Sequence, residues 1–342
     1  MSPTRRSTLF GASAAVLAGG VSVSAHAARP TVGRIRHLSP SLDAVVEGEA
    51  RIEMLAEGFV WSEGPVWVQD GGYLVFSDVP ANVMYRWSES EGATVFLKPS
   101  GYDGPPTEAF REPGSNGLAL DASGALLVCD HGNRAIYRVD LKTHQKTTVV
   151  DRYKGKKFNS PNDLAVSRTG SVYFTDPPYG LTGLNDSPVK ELAFNGVYLL
   201  RPDGSLLVVD DKLTFPNGVA LSPDERRLYV AVSDPDGPVI MAYDLGDDGL
   251  PVHRQVFFDA MPLLRAGGPG LPDGMCLDTE GRLFATGPGG VLVLTPKGDL
   301  IGVIDLGRSV ANCAFGEDGH TLFVTADDIL ARVRLKVSGL VA

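Results

Sequence analysis

One pattern recurs six times along the 342 residues, and it constrains the fold more than any other feature of the chain. Each copy is a polar turn, a short apolar run, a solvated turn, and a second β-rich run that ends in small or acidic residues. Four copies are plain: SNGLALDASGALLVCDHG from Ser115, SPNDLAVSRTGSVYFTDPP from Ser160, FPNGVALSPDERRLYVAVSDPDG from Phe215 and LPDGMCLDTEGRLFATGPGG from Leu271. A weaker copy begins the series at Ser62 (SEGPVWVQDGGYLVFSDVP), and another ends it from Val310 (VANCAFGEDGHTLFVTADD). Further strand-like segments follow, such as AIYRVDL and KTTVVD, with period-2 alternation and Gly, Pro and Asp punctuation. Four strands per repeat, with starts about 40–55 residues apart, give an all-β chain and predict a six-bladed β-propeller of four antiparallel strands per blade over residues 51–342. The last copy holds material for only three strands. Residues 51–56 (RIEMLA) are placed to supply the fourth, closing the ring and removing an open edge. A pair of β-sandwiches gives no reason for sixfold repetition.

The sequence ahead of the repeats reads differently. Residues 1–27 have a basic start, an apolar small-residue middle and an Ala25-His26-Ala27 cleavage pattern, so they read as an export signal that puts the protein in the periplasm or outside the cell. Arg5-Arg6 resembles a twin-arginine signal, with Thr8 where Phe is usual; an ordinary Sec signal with two arginines is the other reading. Residues 28–50 read as an irregular arm. No apolar run of 18 residues follows the signal, so no membrane span is expected. A formal charge of −10 argues against nucleic acid as a partner. Cys129, Cys276 and Cys313 each sit in or beside apolar runs and read as buried thiols rather than as a disulfide framework or a metal set.

In a propeller the first strand of every blade lines the central channel, so the turns ahead of those strands converge at one mouth. They carry Glu63, Asn116, Asn162, Asn217, Asp273 and Asn312. The loops after each second strand return to the same mouth and carry Asp78, Asp130-His131, Asp176, Asp234, Thr286 and Asp327. The tripeptide Pro-Asp-Gly occurs three times, and this topology separates the copies. Pro202-Asp203-Gly204 is a hairpin between strands three and four, Pro235-Asp236-Gly237 lies off the axis, and only Asp273 falls on an axial turn. Taken singly, Asn-Gly and Asp-Gly are ordinary turn formers. Glu63 is not, and two carboxylates with several amides aimed into one mouth repel one another unless a cation sits between them. All are oxygen donors, which favours Ca2+, with Mg2+ or Mn2+ behind it and Zn2+ less suited. An ion that only ties the blades together fits the same residues.

Four motifs in order, EGPVW, FNSPNDLAV followed by VYFTDPPYGL, FPNGVALSPD and LPDGMCLD, resemble those of the gluconolactonase/regucalcin-like family of six-bladed propellers, to which diisopropyl-fluorophosphatase-like enzymes are also similar. The resemblance runs over essentially the whole chain after about residue 50. It implies one divalent metal at the axial mouth held by Glu63, Asn217 and Asp273, with Asn162 as a fourth ligand or a substrate contact. It also implies that Asp273 is the catalytic acid/base of lactone hydrolysis, a small-molecule reaction of the gluconolactonase type. Asn116 is placed to bond a sugar hydroxyl, His131 to reach the substrate or a nearby carboxylate, and Tyr179 to wall the pocket. A phosphotriesterase-type hydrolase at the same metal and a non-catalytic binding propeller with a structural ion are the alternatives. No Gly-x-Ser-x-Gly elbow is present, which removes the usual serine hydrolase.

Overall fold

The computed structural model describes residues 29–340; the export signal read at 1–27 lies outside the described residues. Six antiparallel sheets form the ring. Their inner strands are Ser62–Val68, Ser115–Leu120, Leu164–Val166, Pro216–Leu221, Met275–Leu277 and Asn312–Gly316, and each packs on the next around the axis. Among the described residues the only α-helix is Met261–Arg265. The sixth blade closes as the sequence suggests: Ile52–Glu57 pairs antiparallel with Ile329–Arg334, Ile52 opposite Val333 and Glu57 opposite Ile329. The ring is therefore fastened by hydrogen bonds between the two ends of the propeller sequence.

The stretch expected as an irregular arm over residues 28–50 has order of its own. Arg34–His37 pairs with Leu300–Asp305 as a fifth strand of the fifth blade. A 3-10 turn over Pro40–Ala44 follows and buries Leu42 completely. The physical reason lies in the partner strand: a Cβ on Gly302 would sit 2.5 Å from Leu42 Cδ2, so the glycine leaves the hollow that Leu42 fills. The added strand also covers the backbone edge of Leu300–Asp305.

Close approach at the axis explains the glycine that follows the axial residue in four of the six blades. A Cβ on Gly64 would lie 2.1 Å from Asn116 O, and one on Gly218 would lie 2.1 Å from Asp273 O. One on Gly274 would collide with the side chain of Asn312. The third blade has Asp163 instead of glycine and uses its carboxylate as the tie, accepting from Leu164 N at 2.9 Å and from Val219 N of the fourth blade at 3.1 Å.

Hydroxyls near the ends of the second strands add a further link from blade to blade. Ser77 Oγ donates to Asn116 O at 2.8 Å, Thr175 Oγ1 to Asn217 O at 2.6 Å and Thr286 Oγ1 to Ala311 O at 3.0 Å. Ser233 Oγ donates to Pro272 O in the same way. Four of the axial turns are thus held by a hydroxyl of the blade before them.

The two remaining Pro-Asp-Gly copies are turns. Asp203 Oδ1 accepts from Ser205 N at 2.9 Å, and Gly237 N donates to Asp234 O at 3.1 Å, both on the exposed surface. Their contrast with the axial copy gives a steric test. Gly218→Ala should cost about 1–3 kcal/mol, since the methyl must displace a backbone carbonyl. Gly237→Ala, with nothing within 4 Å of the added carbon, should leave the urea midpoint nearly unchanged. Equal midpoints for the two variants would refute this account of the axis.

Candidate functional site

The axial turns enclose a cavity of about 460 Å³ whose lining includes Glu63, Asn116, Asn162, Asn217, Asp273 and Tyr179. Residues separated by more than 200 positions thus face one space because each begins the inner strand of its blade or, for Tyr179, follows a second strand. A larger groove of about 560 Å³ lies between turns of the third and fourth blades and is lined by Ser167, Arg201, Glu225 and Asp248. It shares no residue with the axial cavity, and its walls are solvated turns.

The amides in the cavity are anchored through their nitrogens. Asn217 Nδ2 donates to Ser233 Oγ at 2.9 Å. Asn116 Nδ2 and Asn162 Nδ2 lie 3.3 and 3.5 Å from His131 Nε2. Asn116 Oδ1 is buried without a hydrogen-bond partner. Asn312, the sixth axial residue, departs from the set: its Oδ1 accepts from Cys313 N at 2.8 Å, and it lines a separate channel cavity of about 140 Å³.

Of the two roles expected for His131, reaching the substrate is not met, since its side chain is wholly buried and does not line the cavity; the other is, with Nδ1 standing 3.5 Å from the carboxylate of Glu112. The Asn116 and Asn162 side chains stand against its ring, and Gly180 closes over its Cβ. Tyr179 does line the cavity, with its ring stacked on Phe215 at 5.8 Å between centroids. Burial pushes its phenol well above the ordinary range.

The two carboxylates face each other electrostatically. Burial pushes Glu63 up to about 8, with the nearby charge of Asp163 adding to the effect and the Gly64 N–H, donating at 2.9 Å, opposing it. Asp273 is raised well above its ordinary range, first by burial and then by the charges of Glu63, Asp163 and Glu112. Among the described residues no three His, Cys, Asp or Glu side chains gather as a metal cluster. The donor set here is mixed: two carboxylates that resist ionising together, and amide oxygens of which one is buried and unpartnered. That chemistry fits a hard, oxygen-seeking dication.

Two cavity residues carry no signal in the repeats. Arg111 and Glu112 belong to the connection between the first and second blades, which folds back over the mouth. Arg111 N donates to Gly180 O at 3.0 Å, Phe110 bridges to Leu181, and Tyr102 packs on Phe110 with centroids 5.0 Å apart. The acids after the second strands turn elsewhere. Asp78 accepts from Val60 N and Trp61 N at 3.0 and 3.1 Å, Asp176 from Asn159 N at 2.8 Å, and Asp130 from Asn133 N at 2.8 Å. These carboxylates brace the loops behind the site.

Residues 61–328 match the family described as SMP-30/Gluconolactonase/LRE-like region. A protein of Zymomonas mobilis named gluconolactonase is 49% identical over 90% of this chain and 88% of its own length. A pentonolactonase of Haloferax volcanii is 26% identical, covering 77% of this chain and 80% of its own. The solved structure of a Xanthomonas campestris gluconolactonase superposes with a TM-score of 0.76 at 36% identity, over 90% of this chain and 98% of that one.

The bracing carboxylates make a pH prediction. Burial raises both Asp130 and Asp176 to about 7 from an ordinary 3.8. A carboxyl whose folded pKa is raised destabilises the fold progressively as pH climbs from the unfolded to the folded value. The urea midpoint should therefore be higher at pH 5 than at pH 8, and Asp176→Asn should shrink the difference. A midpoint that rises from pH 5 to pH 8 would contradict the burial argument.

Proposed function

The chain belongs to the SMP-30/gluconolactonase family, and we propose that it is an enzyme that hydrolyses a sugar lactone, of the glucono-1,5-lactone class, in the axial cavity. The observation that carries the proposal is the meeting of Glu63, Asn162, Asn217 and Asp273 in one space large enough for a monosaccharide. The relatives named gluconolactonase and pentonolactonase support the substrate class.

Glu63, Asn162, Asn217 and Asp273 would hold a divalent cation, Ca2+ before Mg2+ or Mn2+, since every donor is oxygen. When bound, such an ion supplies Lewis acidity toward the lactone carbonyl and offsets the charge of the two carboxylates. Asp273 in its ionised form takes a proton from the attacking water while the water oxygen bonds to the carbonyl carbon. The bond from that carbon to the ring oxygen then breaks. Asp273 returns the proton to the ring oxygen, and the acid product ionises in solution. Asn116 and Tyr179 flank the reacting centre and orient the sugar hydroxyls.

Acid release from glucono-1,5-lactone, followed with a pH indicator, tests this directly. Chelation should abolish enzymatic turnover and added Ca2+ should restore it. Asp273→Asn keeps the shape of the side chain but not its basicity, and should lower kcat by about 100-fold or more. Undiminished turnover in a folded Asp273→Asn variant, or in metal-stripped protein, would remove the mechanism.

A further inference from the structure

An asparagine side chain has nearly the same shape with its oxygen and nitrogen exchanged, so its polarity at a site is set by what lies behind it. At Asn217 the setting is plain. Ser233 spends its hydroxyl proton on Pro272 O, which leaves an oxygen lone pair to accept from Asn217 Nδ2 and turns Asn217 Oδ1 the other way.

At Asn116 and Asn162 the corresponding group is one imidazole nitrogen. His131 Nε2 faces both amide nitrogens, at 3.3 and 3.5 Å. It accepts from them only when the ring proton is on Nδ1. That nitrogen is buried without a hydrogen-bond partner. Glu112 Oε2 stands 3.5 Å from it, within ion-pair range though beyond a formed hydrogen bond; a carboxylate there favours a proton on Nδ1 because it can only accept. The other oxygen of Glu112 is paired with Arg111 Nη2 at 2.7 Å, which compensates its charge. The order of dependence is thus Arg111 to Glu112, Glu112 to the Nδ1 proton, and Nε2 to the two amides. With the ring proton on Nε2 instead, both amides would turn their oxygens inward and present NH2 groups to the cavity.

We infer that His131 is a positioning residue that holds the oxygens of Asn116 and Asn162 toward the cavity, with Glu112 fixing its tautomer. The ring is buried behind the cavity and touches no reactant. The inference rests on the reading that the cavity takes a cation, and it adds residues that the axial motifs do not contain.

Calorimetric titration of chelator-stripped protein with Ca2+ alone tests the effect without any turnover. His131→Phe removes the acceptor and should weaken binding by about 10–100-fold, the usual penalty for losing a group that orients a ligand. His131→Gln, whose Oε1 can accept from the same amides, should recover most of that loss. Glu112→Gln, which can face Nδ1 with either an oxygen or an NH2 group, should give an intermediate loss.

A second measurement needs no variant. Long-range 1H–15N spectra of histidine-labelled wild-type protein should show one buried ring of the six protonated at Nδ1 and bare at Nε2. A buried ring protonated at Nε2, or His131→Phe binding Ca2+ as tightly as wild type, would overturn the inference. Absence of Ca2+ binding by the wild-type protein would instead sink the cation reading, while the spectrum still decides the tautomer. If His131→Phe fails to fold, the glutamine variant and the spectrum carry the test.

Discussion

Six inner strands can meet at one axis only if their first residues pack backbone against backbone. The contacts at Gly64, Gly117, Gly218 and Gly274 leave no room for a Cβ, because each faces a carbonyl or side chain of the next axial turn. This constraint does two things at once. It brings the adjacent axial residues Glu63, Asn116, Asn162, Asn217 and Asp273 to the same level of the channel, and it denies them freedom to move apart. A site built from strand starts is more rigid than one built on loops. The hydroxyls of Ser77, Thr175, Ser233 and Thr286 reinforce it by tying four of the axial turns to the preceding blade.

That rigidity has an electrostatic cost. Packing Glu63 and Asp273 into one buried mouth, with Asp163 just below, raises the carboxylates above their ordinary range and opposes ionising them together. A protein optimised for stability alone would place amides or apolar groups there. In the proposed mechanism the same arrangement would serve chemistry, since a carboxylate held ionised beside a dication would be preorganised for proton transfer. Under the cation reading proposed above, a bound dication would offset that cost, and stability and ligand affinity would be linked through the same two residues.

The ring, its closure by Ile52–Glu57 and the meeting of five axial side chains were legible because each rests on repetition, and repetition survives in sequence. The three Pro-Asp-Gly copies illustrate why topology was needed: the local chemistry of Asp203, Asp236 and Asp273 is alike, and only their place in the blade sends one to the cavity. Arg111 and Glu112 are not legible in the sequence, for the converse reason. They lie in a connection outside the repeat, and their position depends on packing against Gly180 and Leu181, which no periodicity encodes. The strand at Arg34–His37 carries no such signal because its partner is an outer edge, Leu300–Asp305, far along the chain, whose need for cover is a tertiary fact. Direction was the other gap. Whether the His131 ring faces the cavity or the protein depends on Asn116 and Asn162 standing in front of it, which no repeat encodes.

The position of His131 follows from a break in the blade pattern. At the ends of the second strands, Ser77, Thr175, Ser233, Thr286 and Thr325 are hydroxyl residues, whereas the second blade has Cys129. A buried thiol is a weak donor and a weak acceptor, so it makes a poor substitute for a hydroxyl that ties down a neighbouring turn. In that blade the axial link is made by the backbone, with Gly117 N donating to Asn162 O at 2.8 Å. The side-chain acceptor needed behind Asn116 and Asn162 comes from two residues further on, where the strand has ended and there is room for an imidazole. The single lone pair of the ring nitrogen is shared between the two amides, at 3.3 and 3.5 Å. The second blade therefore does with one histidine, for a pair of asparagines, what Ser233 does for Asn217 alone.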